Sequence, residues 1–132
     1  MTLVVDASFV VAALVDGGEI GTWAESVLLS DHLAAPHLMP VEVANILRRA
    51  ARAGNLSSDT AALAHADLQA VRVDLFPYDA VASRAWDLRD NLTLYDAWYV
   101  ALAELLEADL ATLDARLARA PGPRCQFVLP PA

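Results

Sequence analysis

The sequence predicts an α/β fold whose centre is a mostly parallel sheet of about five strands. Short runs rich in Val, Leu and Ala alternate with longer segments of helical period, and this alternation is typical of consecutive βα units. No internal repeat, long linker or break in composition divides the chain. A length of 132 residues is enough to bury a core without disulfides or metals. We therefore expect a single domain over residues 1–132.

Five short apolar runs are the candidate strands, each close to the usual strand length. They cover residues 3–6, 33–35, 73–76, 110–113 and 126–129. Helices are expected in the gaps between these strands. Because parallel strands run in the same direction, their carboxyl ends are expected to share one edge of the sheet.

Three of the helices have recognisable ends. The segment 40–53 begins with Pro40 at a plausible first helical position and stops before Gly54, in agreement with the usual preferences of these residues. Ser57 and Ser58 are expected to cap the next helix. The segment 94–107 is expected to be helical and to enter the strand 110–113 through a very short connection. Its first turn should therefore lie at the carboxyl edge of the sheet.

The charge of the chain limits its possible partners. All nine basic residues are arginines, seventeen residues are acidic, and the formal net charge is −8. A protein that coats nucleic acid without specificity usually has a basic surface, so this balance argues against that class and suits the binding of cations. The arginines nevertheless cluster at 48, 49 and 52 and at 116 and 119, either as solvated helix faces or as a local patch for phosphates.

The sequence also favours a cytoplasmic protein. The longest apolar runs are interrupted by charges such as Glu104 and Glu107 before they could span a bilayer, and Met1 to Leu3 lack the basic flank of a signal peptide. The single cysteine, Cys125, has no internal disulfide partner, which fits a reducing compartment.

Acidic residues occupy positions that should converge on the carboxyl edge. Asp6 and Asp114 end two apolar strands, whereas Glu42 and Asp96 lie in the first turns of the helices 40–53 and 94–107. Open α/β sheets bind their ligands at this edge. Four carboxylates are therefore predicted to surround one site.

Each acid also has a purely structural explanation. Asp6 and Asp114 could cap the helices that follow them, and Asp96 stands three residues after Thr93, a capping-box spacing. Glu42 would be favoured by the dipole of its helix. These roles do not explain why all four acids should meet, since close carboxylates repel one another unless a cation is present. Oxygen ligands favour Mg²⁺ or Mn²⁺ over zinc, and the three histidines are expected on the surface: His32, His37 and His65.

Four sequence stretches together resemble a PIN-domain nuclease, more narrowly a VapC-type toxin of a bacterial toxin–antitoxin pair. They are VVDASFVVAAL, PVEVANILRRA, LYDAWYVALAE and ATLDARLARA. The resemblance runs over essentially the whole chain, with the acids in the order and local contexts of that family. It implies a PIN-like three-layer α/β/α sandwich. One departure is Ala7, which stands where Thr is common; its side chain is not a ligand.

The resemblance implies an endoribonuclease that uses Mg²⁺ or Mn²⁺ to activate a water for cleavage of cellular RNA. Its metal ligands and catalytic residues would be Asp6, Glu42, Asp96 and Asp114. Ser8 and Thr112 fall where the family often keeps hydroxyls near the first and last acids, and they are assigned supporting roles. Arginines at the rim are candidates for RNA binding, namely Arg48, Arg49 and Arg116.

The resemblance also implies partners. A cognate VapB-type antitoxin is expected to neutralise the toxin, directing a basic side chain at the acids. A homodimer is expected too, because one small domain would leave large side chains uncovered, including Trp23, Trp86 and Tyr95.

In the helix 94–107, four residues are expected to be buried and so to fix Asp96 towards the acids: Trp98, Tyr99, Leu102 and Leu105.

Two other functions are compatible with the same acids. The first is a metal-binding, receiver-like module in which Asp6 or Asp96 accepts a phosphoryl group. Such sites usually require a lysine, which this chain lacks. The second is a catalytically inactive module that only binds a protein partner.

Overall fold

The computed structural model describes all residues 1–132 and contains one sheet of five parallel strands. The order of the strands across the sheet is β3-β2-β1-β4-β5, and every neighbouring pair is parallel. The strands are β1 (Thr2–Val5), β2 (His32–Pro36), β3 (Val73–Phe76), β4 (Asp109–Ala111) and β5 (Phe127–Val128). The prediction of an α/β fold with about five strands is confirmed.

Seven α-helices connect the strands, together with a single 3-10 turn at Tyr78–Ala80. The helices are α1 (Ala7–Val15), α2 (Glu19–Ser30), α3 (Met39–Arg52), α4 (Ser58–Ala70), α5 (Ala82–Asp87), α6 (Leu94–Leu106) and α7 (Ala115–Arg119). Ser57 caps α4 by accepting a hydrogen bond from the Thr60 N–H. Ser58 is already the first residue of that helix.

The direction in which successive strands are added to the sheet reverses between β1, the central strand, and its neighbour β4. From β1 the strands proceed outward through β2 to β3, and the chain then crosses back to β4 and β5. Right-handed crossovers place the helices after β1 and β2 on one face and those after β3 and β4 on the other. The contacts agree, since α1 to α4 touch one another and α5 touches α6. The carboxyl ends of β1 and β4 therefore form the switch point at which open sheets bind ligands.

The core lies on both faces of the adjacent strands β1 and β4. Val4, Val5 and Leu110 are completely buried, as is Phe9 of α1, whose ring packs edge-on against Trp23. Burial of a side chain of this size stabilises the fold by about 1.5–3 kcal/mol. None of the helices has the length and apolar character needed to cross a membrane.

Helix α6 packs closely on the sheet because small residues face it. Ala97 and Ala101 are buried, and so are Tyr99 and Leu102; Trp98 is half-buried and packs edge-on against Tyr78. The prediction that Leu105 is buried was wrong, because 55% of this residue is exposed. Leu105 borders an open pocket of about 400 Å³ between the beginning of α5 and α6, so no neighbouring element covers its side chain.

Candidate active site

The first acid, Asp6, directly follows β1 and caps α1. One carboxylate oxygen, Oδ1, accepts hydrogen bonds from the Ser8 hydroxyl at 2.7 Å and from the Phe9 N–H at 3.0 Å. Asp6 is only 8% exposed, and its own N–H donates to the Ala111 carbonyl of β4 at 3.1 Å. The capping role considered for Asp6 is therefore real, and it fixes the carboxylate at the end of the central strand.

Two hydroxyls join the first acid to the last. The Ser8 hydroxyl, which donates to Asp6, also accepts a hydrogen bond from the Leu113 N–H at 3.2 Å. The buried Thr112 hydroxyl accepts from the Asp114 N–H at 3.0 Å. Asp114 in turn caps α7 by accepting from two backbone N–H groups of its first turn. Ser8 and Thr112 thus hold the segments that carry Asp6 and Asp114 at fixed positions.

Glu42 lies in the first turn of α3 and is held by a tyrosine of α6. The Tyr99 hydroxyl donates to Glu42 Oε1 at 2.5 Å, although Tyr99 is 3% exposed and the two residues are far apart in sequence. This bond joins the first turn of α3 to the second turn of α6, two helices that belong to different crossovers. From the sequence, Tyr99 was expected only in the core. Its position three residues after Asp96, on the same side of a helix, was the signal for a contact with the site.

Asp96 lies in the first turn of α6, as the sequence predicts. Thr93 caps this helix by accepting a hydrogen bond from the Asp96 N–H at 3.2 Å. The Asp96 residue is half-buried. The cap therefore holds the backbone of Asp96, whose carboxylate is near enough to Asp114 for that charge to raise its pKa.

The pKa values show that the acids act on one another. Burial raises the pKa of Asp6, and repulsion by Asp96 adds to this increase although hydrogen bonds at Asp6 oppose it. Burial also raises the pKa of Glu42, with further increases from Asp96 and Asp6. The pKa of Asp96 is raised by burial and then by Asp114. The predicted convergence of four carboxylates thus appears as mutual electrostatic repulsion at one edge of the sheet.

No basic side chain neutralises these acids. The ion pairs of the structure are His32 with Asp74 and Arg84 with Glu104, and neither includes an acid of this edge. Repulsion among half-buried carboxylates destabilises the folded state, so a bound cation would stabilise it. The set of side-chain donors is oxygen only, which fits a hard divalent ion. In the present arrangement, no group of three or more carboxylate, imidazole or thiol side chains closes tightly enough to hold one.

The predicted RNA-binding arginines fall into two groups. Arg116 lies in the short helix α7, two residues after Asp114, and is exposed. Arg48 and Arg49 are exposed in the second half of α3, and at a rise of 1.5 Å per residue they lie roughly 9–10 Å along the helix from Glu42. Arg116 is thus closer to the acids than the α3 pair. The three predicted surface histidines, His32, His37 and His65, are all exposed.

Comparison with known proteins assigns a family to this arrangement. The PIN domain family profile matches residues 3–123. The chain is 39% identical over 127 residues to Ribonuclease VapC1 of Mycobacterium tuberculosis, with 96% of each chain covered. The crystal structure of PAE2754 from Pyrobaculum aerophilum is similar with a TM-score of 0.72 and 26% identity, covering 96% of this chain and 83% of that one. VapBC2 from Rickettsia felis, solved with a DNA fragment from its promoter, shares the fold with a TM-score of 0.65 and 12% identity over 98% of both chains.

Proposed function

Since this chain belongs to the PIN domain family, we propose that it is a ribonuclease of the VapC type that cleaves RNA in a divalent-metal-dependent reaction at the carboxyl edge of β1 and β4. The observation that carries this proposal is the mutual repulsion of Asp6, Glu42 and Asp96, with Asp114 beside them and no basic partner. A site that only caps helices does not need acids that raise one another's pKa. Acids that only cap helices would be at least as stable if they lay far from one another.

The four carboxylates would hold Mg²⁺ or Mn²⁺. A divalent ion held there would supply Lewis acidity, by which the pKa of an attacking water would be lowered and negative charge at the phosphate neutralised. Asp6 is the most rigidly held acid, because it is bonded to α1 and to Ser8. Glu42 is oriented by Tyr99. These contacts restrict the directions of the Asp6 and Glu42 oxygens, and the acids would have to move closer together to ligate one ion.

The supporting hydroxyls restrict movement of the site. Ser8 connects Asp6 to the backbone after β4, and Thr112 connects β4 to Asp114. Removal of either hydroxyl would leave the acids in place but loosen their spacing. Outer contacts of this kind typically change activity or metal affinity by about 10- to 100-fold.

We also propose that a VapB-type antitoxin restrains this nuclease and that the active particle is a homodimer. The antitoxin proposal is supported by the VapBC2 assembly whose toxin shares this fold and by the net charge of −8, which favours a basic partner segment. The homodimer proposal is supported by large exposed side chains, among them Trp86 at 56% and Leu29 at 82% exposure. Trp23, by contrast, is half-buried against Phe9.

The test is cleavage of total cellular RNA by the purified protein freed of partners. We expect cleavage with Mn²⁺, its loss in chelator, and its loss in Asp6→Asn. Asp109→Asn is the matched control, because this exposed aspartate begins β4 at the opposite edge of the sheet. Metal-independent cleavage, or equal activity of Asp6→Asn and Asp109→Asn, would contradict the proposal. A wild-type protein that binds metal but never cuts RNA would identify an inactive binding module instead.

A further inference from the structure

Tyr95 is a large aromatic side chain left in solvent beside the acids. It is the second residue of α6 and directly precedes Asp96, and 63% of it is exposed. Burial of the Tyr95 ring would be favourable. Its exposure at the edge where open α/β sheets bind their ligands therefore indicates a surface that can bind a partner. The ring contributes nothing to the core of this chain.

The helix geometry shows which way Tyr95 faces. Residues four apart lie on the same side of a helix, with Cβ atoms about 5–6 Å apart. Tyr99 uses that side of α6 to reach Glu42, so Tyr95 lies one turn further out on the same stripe. Tyr95 therefore lies in the first turn of α6, one residue before Asp96 and on the side of the helix from which Tyr99 reaches Glu42.

The charges of the chain make an aromatic contact useful for RNA. Substrate must approach a group of carboxylates in a protein of net charge −8. Two arginines are occupied elsewhere: Arg84 pairs with Glu104, and Arg89 stacks on Trp86 at 4.6 Å from the ring centre. Arg116 is the basic side chain nearest in sequence to an acid of the site. Stacking of a base on an aromatic ring is attractive without requiring positive charge.

We propose that Tyr95 binds RNA by stacking on a nucleobase next to the scissile phosphate. This inference rests on the proposed nuclease function and adds the requirement that the substrate has an unpaired base at this position. A base inside a continuous duplex has both faces covered, so the ring selects single-stranded or looped RNA. Tyr95 is thus a substrate-positioning residue, whereas the four acids perform the chemistry.

The experiment compares Tyr95→Ala, Tyr95→Phe and the control Leu63→Ala, which removes a large side chain that is 67% exposed on α4. Cleavage of a short single-stranded RNA is measured under metal-saturated conditions. Loss of one stacked base corresponds to about a 5- to 150-fold change, so we expect kcat/KM of Tyr95→Ala to fall within that range, mainly through KM. Tyr95→Phe should retain wild-type kinetics because it keeps the ring, and Leu63→Ala should also be unchanged.

A competition assay separates stacking from a structural role. Two oligodeoxynucleotides of equal length, one with bases and one abasic, are used as inhibitors of cleavage. The inhibitor with bases should bind more tightly than the abasic one to wild type and to Tyr95→Phe, and this preference should disappear in Tyr95→Ala. An unchanged preference, or unchanged cleavage by Tyr95→Ala, would overturn the inference.

Two further outcomes distinguish the possible failures. If Tyr95→Ala loses affinity equally for both inhibitors and changes its mass in light scattering, Tyr95 belongs to a subunit interface and the stacking inference is wrong. If wild type itself fails to cleave RNA with Mn²⁺, the proposed nuclease function fails and the inference fails with it. Normal wild-type cleavage with an unaffected Tyr95→Ala contradicts the stacking inference alone.

Discussion

Helix α6 carries one acid near each end, and the two have opposite environments. Asp96, in the first turn, has a pKa raised by burial and by Asp114, and it has no ion-pair partner. Glu104, near the last turn, accepts hydrogen bonds from Arg84 Nε at 2.6 Å and Nη2 at 3.2 Å, and from the Arg124 N–H at 2.8 Å. Burial alone would raise the pKa of Glu104, but these contacts outweigh it and lower the pKa.

The two environments indicate different roles: Glu104 stabilises the fold, whereas Asp96 is available to bind a ligand. The paired Glu104 joins α6 to α5 and to the segment before β5, since Arg84 also donates to the Gly122 carbonyl at 2.9 Å. The unpaired Asp96 gains no such partner, although the protein has nine arginines. Eight residues along a helix correspond to about 12 Å, so the two environments do not overlap. One helix can therefore supply both functions.

The largest expected effect concerns activity. Asp96→Asn should reduce RNA cleavage by more than about 100-fold, because even contacts outside the ligand shell of a metal typically change activity by 10- to 100-fold. Glu104→Gln should keep wild-type activity per folded molecule. Both variants exchange a carboxylate for an amide on α6, which makes each the control for the other. Equal activity of the two variants would remove Asp96 from the site.

The next effect concerns stability, which Glu104→Gln should reduce more than Asp96→Asn does. Glu104→Gln removes a charged partner from the Arg84 guanidinium, and both side chains are mostly buried, at 15% and 26% exposure. We expect a loss of about 2 kcal/mol in the free energy of unfolding, or roughly 5–10 °C in Tm. Asp96→Asn should leave the Tm in chelator unchanged or higher. Thermal unfolding by circular dichroism measures both, and a loss in Asp96→Asn as large as in Glu104→Gln would contradict the assignment.

A smaller effect is expected in the dependence of stability on pH without metal. Asp6, Glu42 and Asp96 have raised pKa values, so their contribution is fully present below the unfolded pKa near 4 and is lost as pH rises through the folded pKa. Glu104 has a lowered pKa, so its contribution is present above its unfolded pKa and is lost as pH falls through the folded one.

The metal-free protein should consequently be most stable at mildly acidic pH. Urea unfolding from pH 3 to 8 in chelator should show stability rising on the acid side and falling towards neutrality. Asp96→Asn should reduce the loss of stability towards neutral pH. Glu104→Gln should reduce the gain of stability with rising pH on the acid side. Saturating Mn²⁺ should remove the fall in wild type, because the ion neutralises the acids. A fall that is equally steep in Asp96→Asn would show that this residue is not coupled to the others.

The same contrast explains how much the sequence could predict. Asp6 and Asp96 were placed correctly because their positions follow from local rules: one residue directly follows a strand, and the other lies in the first turn of a helix. Parallel strands then bring such positions to one edge. The strand limits were less accurate, since β4 ends at Ala111 and β5 covers only Phe127–Val128, where pairing with a neighbour sets the length.

Contacts between distant segments were not predictable in this way. The pairing of Arg84 with Glu104 depends on how α5 packs against α6, and no spacing in the sequence indicates it. The bond from Tyr99 to Glu42 depends on the crossing of two helices at the carboxyl edge. Leu105 was wrongly expected to be buried because periodicity gives the side of a helix but not whether a neighbour covers it. A single domain over residues 1–132 and the ligand roles of the four acids stay predictions.

The smallest expected effect lies at the end of α6, one turn beyond the paired acid. Glu107 ends the helix in the left-handed conformation, with φ 51°, which is unfavourable for residues with a Cβ atom and is usually occupied by Gly. Its negative charge is also unfavourable at a helix C-terminus. Glu107→Gly should therefore stabilise the protein by about 1 kcal/mol, whereas Glu107→Gln, which removes only the charge, should stabilise it by about 0.3 kcal/mol. Neither should change cleavage, because this end of α6 is remote from the acids. Urea unfolding measures both variants, and equal stabilisation by Gln and Gly would show that charge rather than backbone conformation limits this end of the helix.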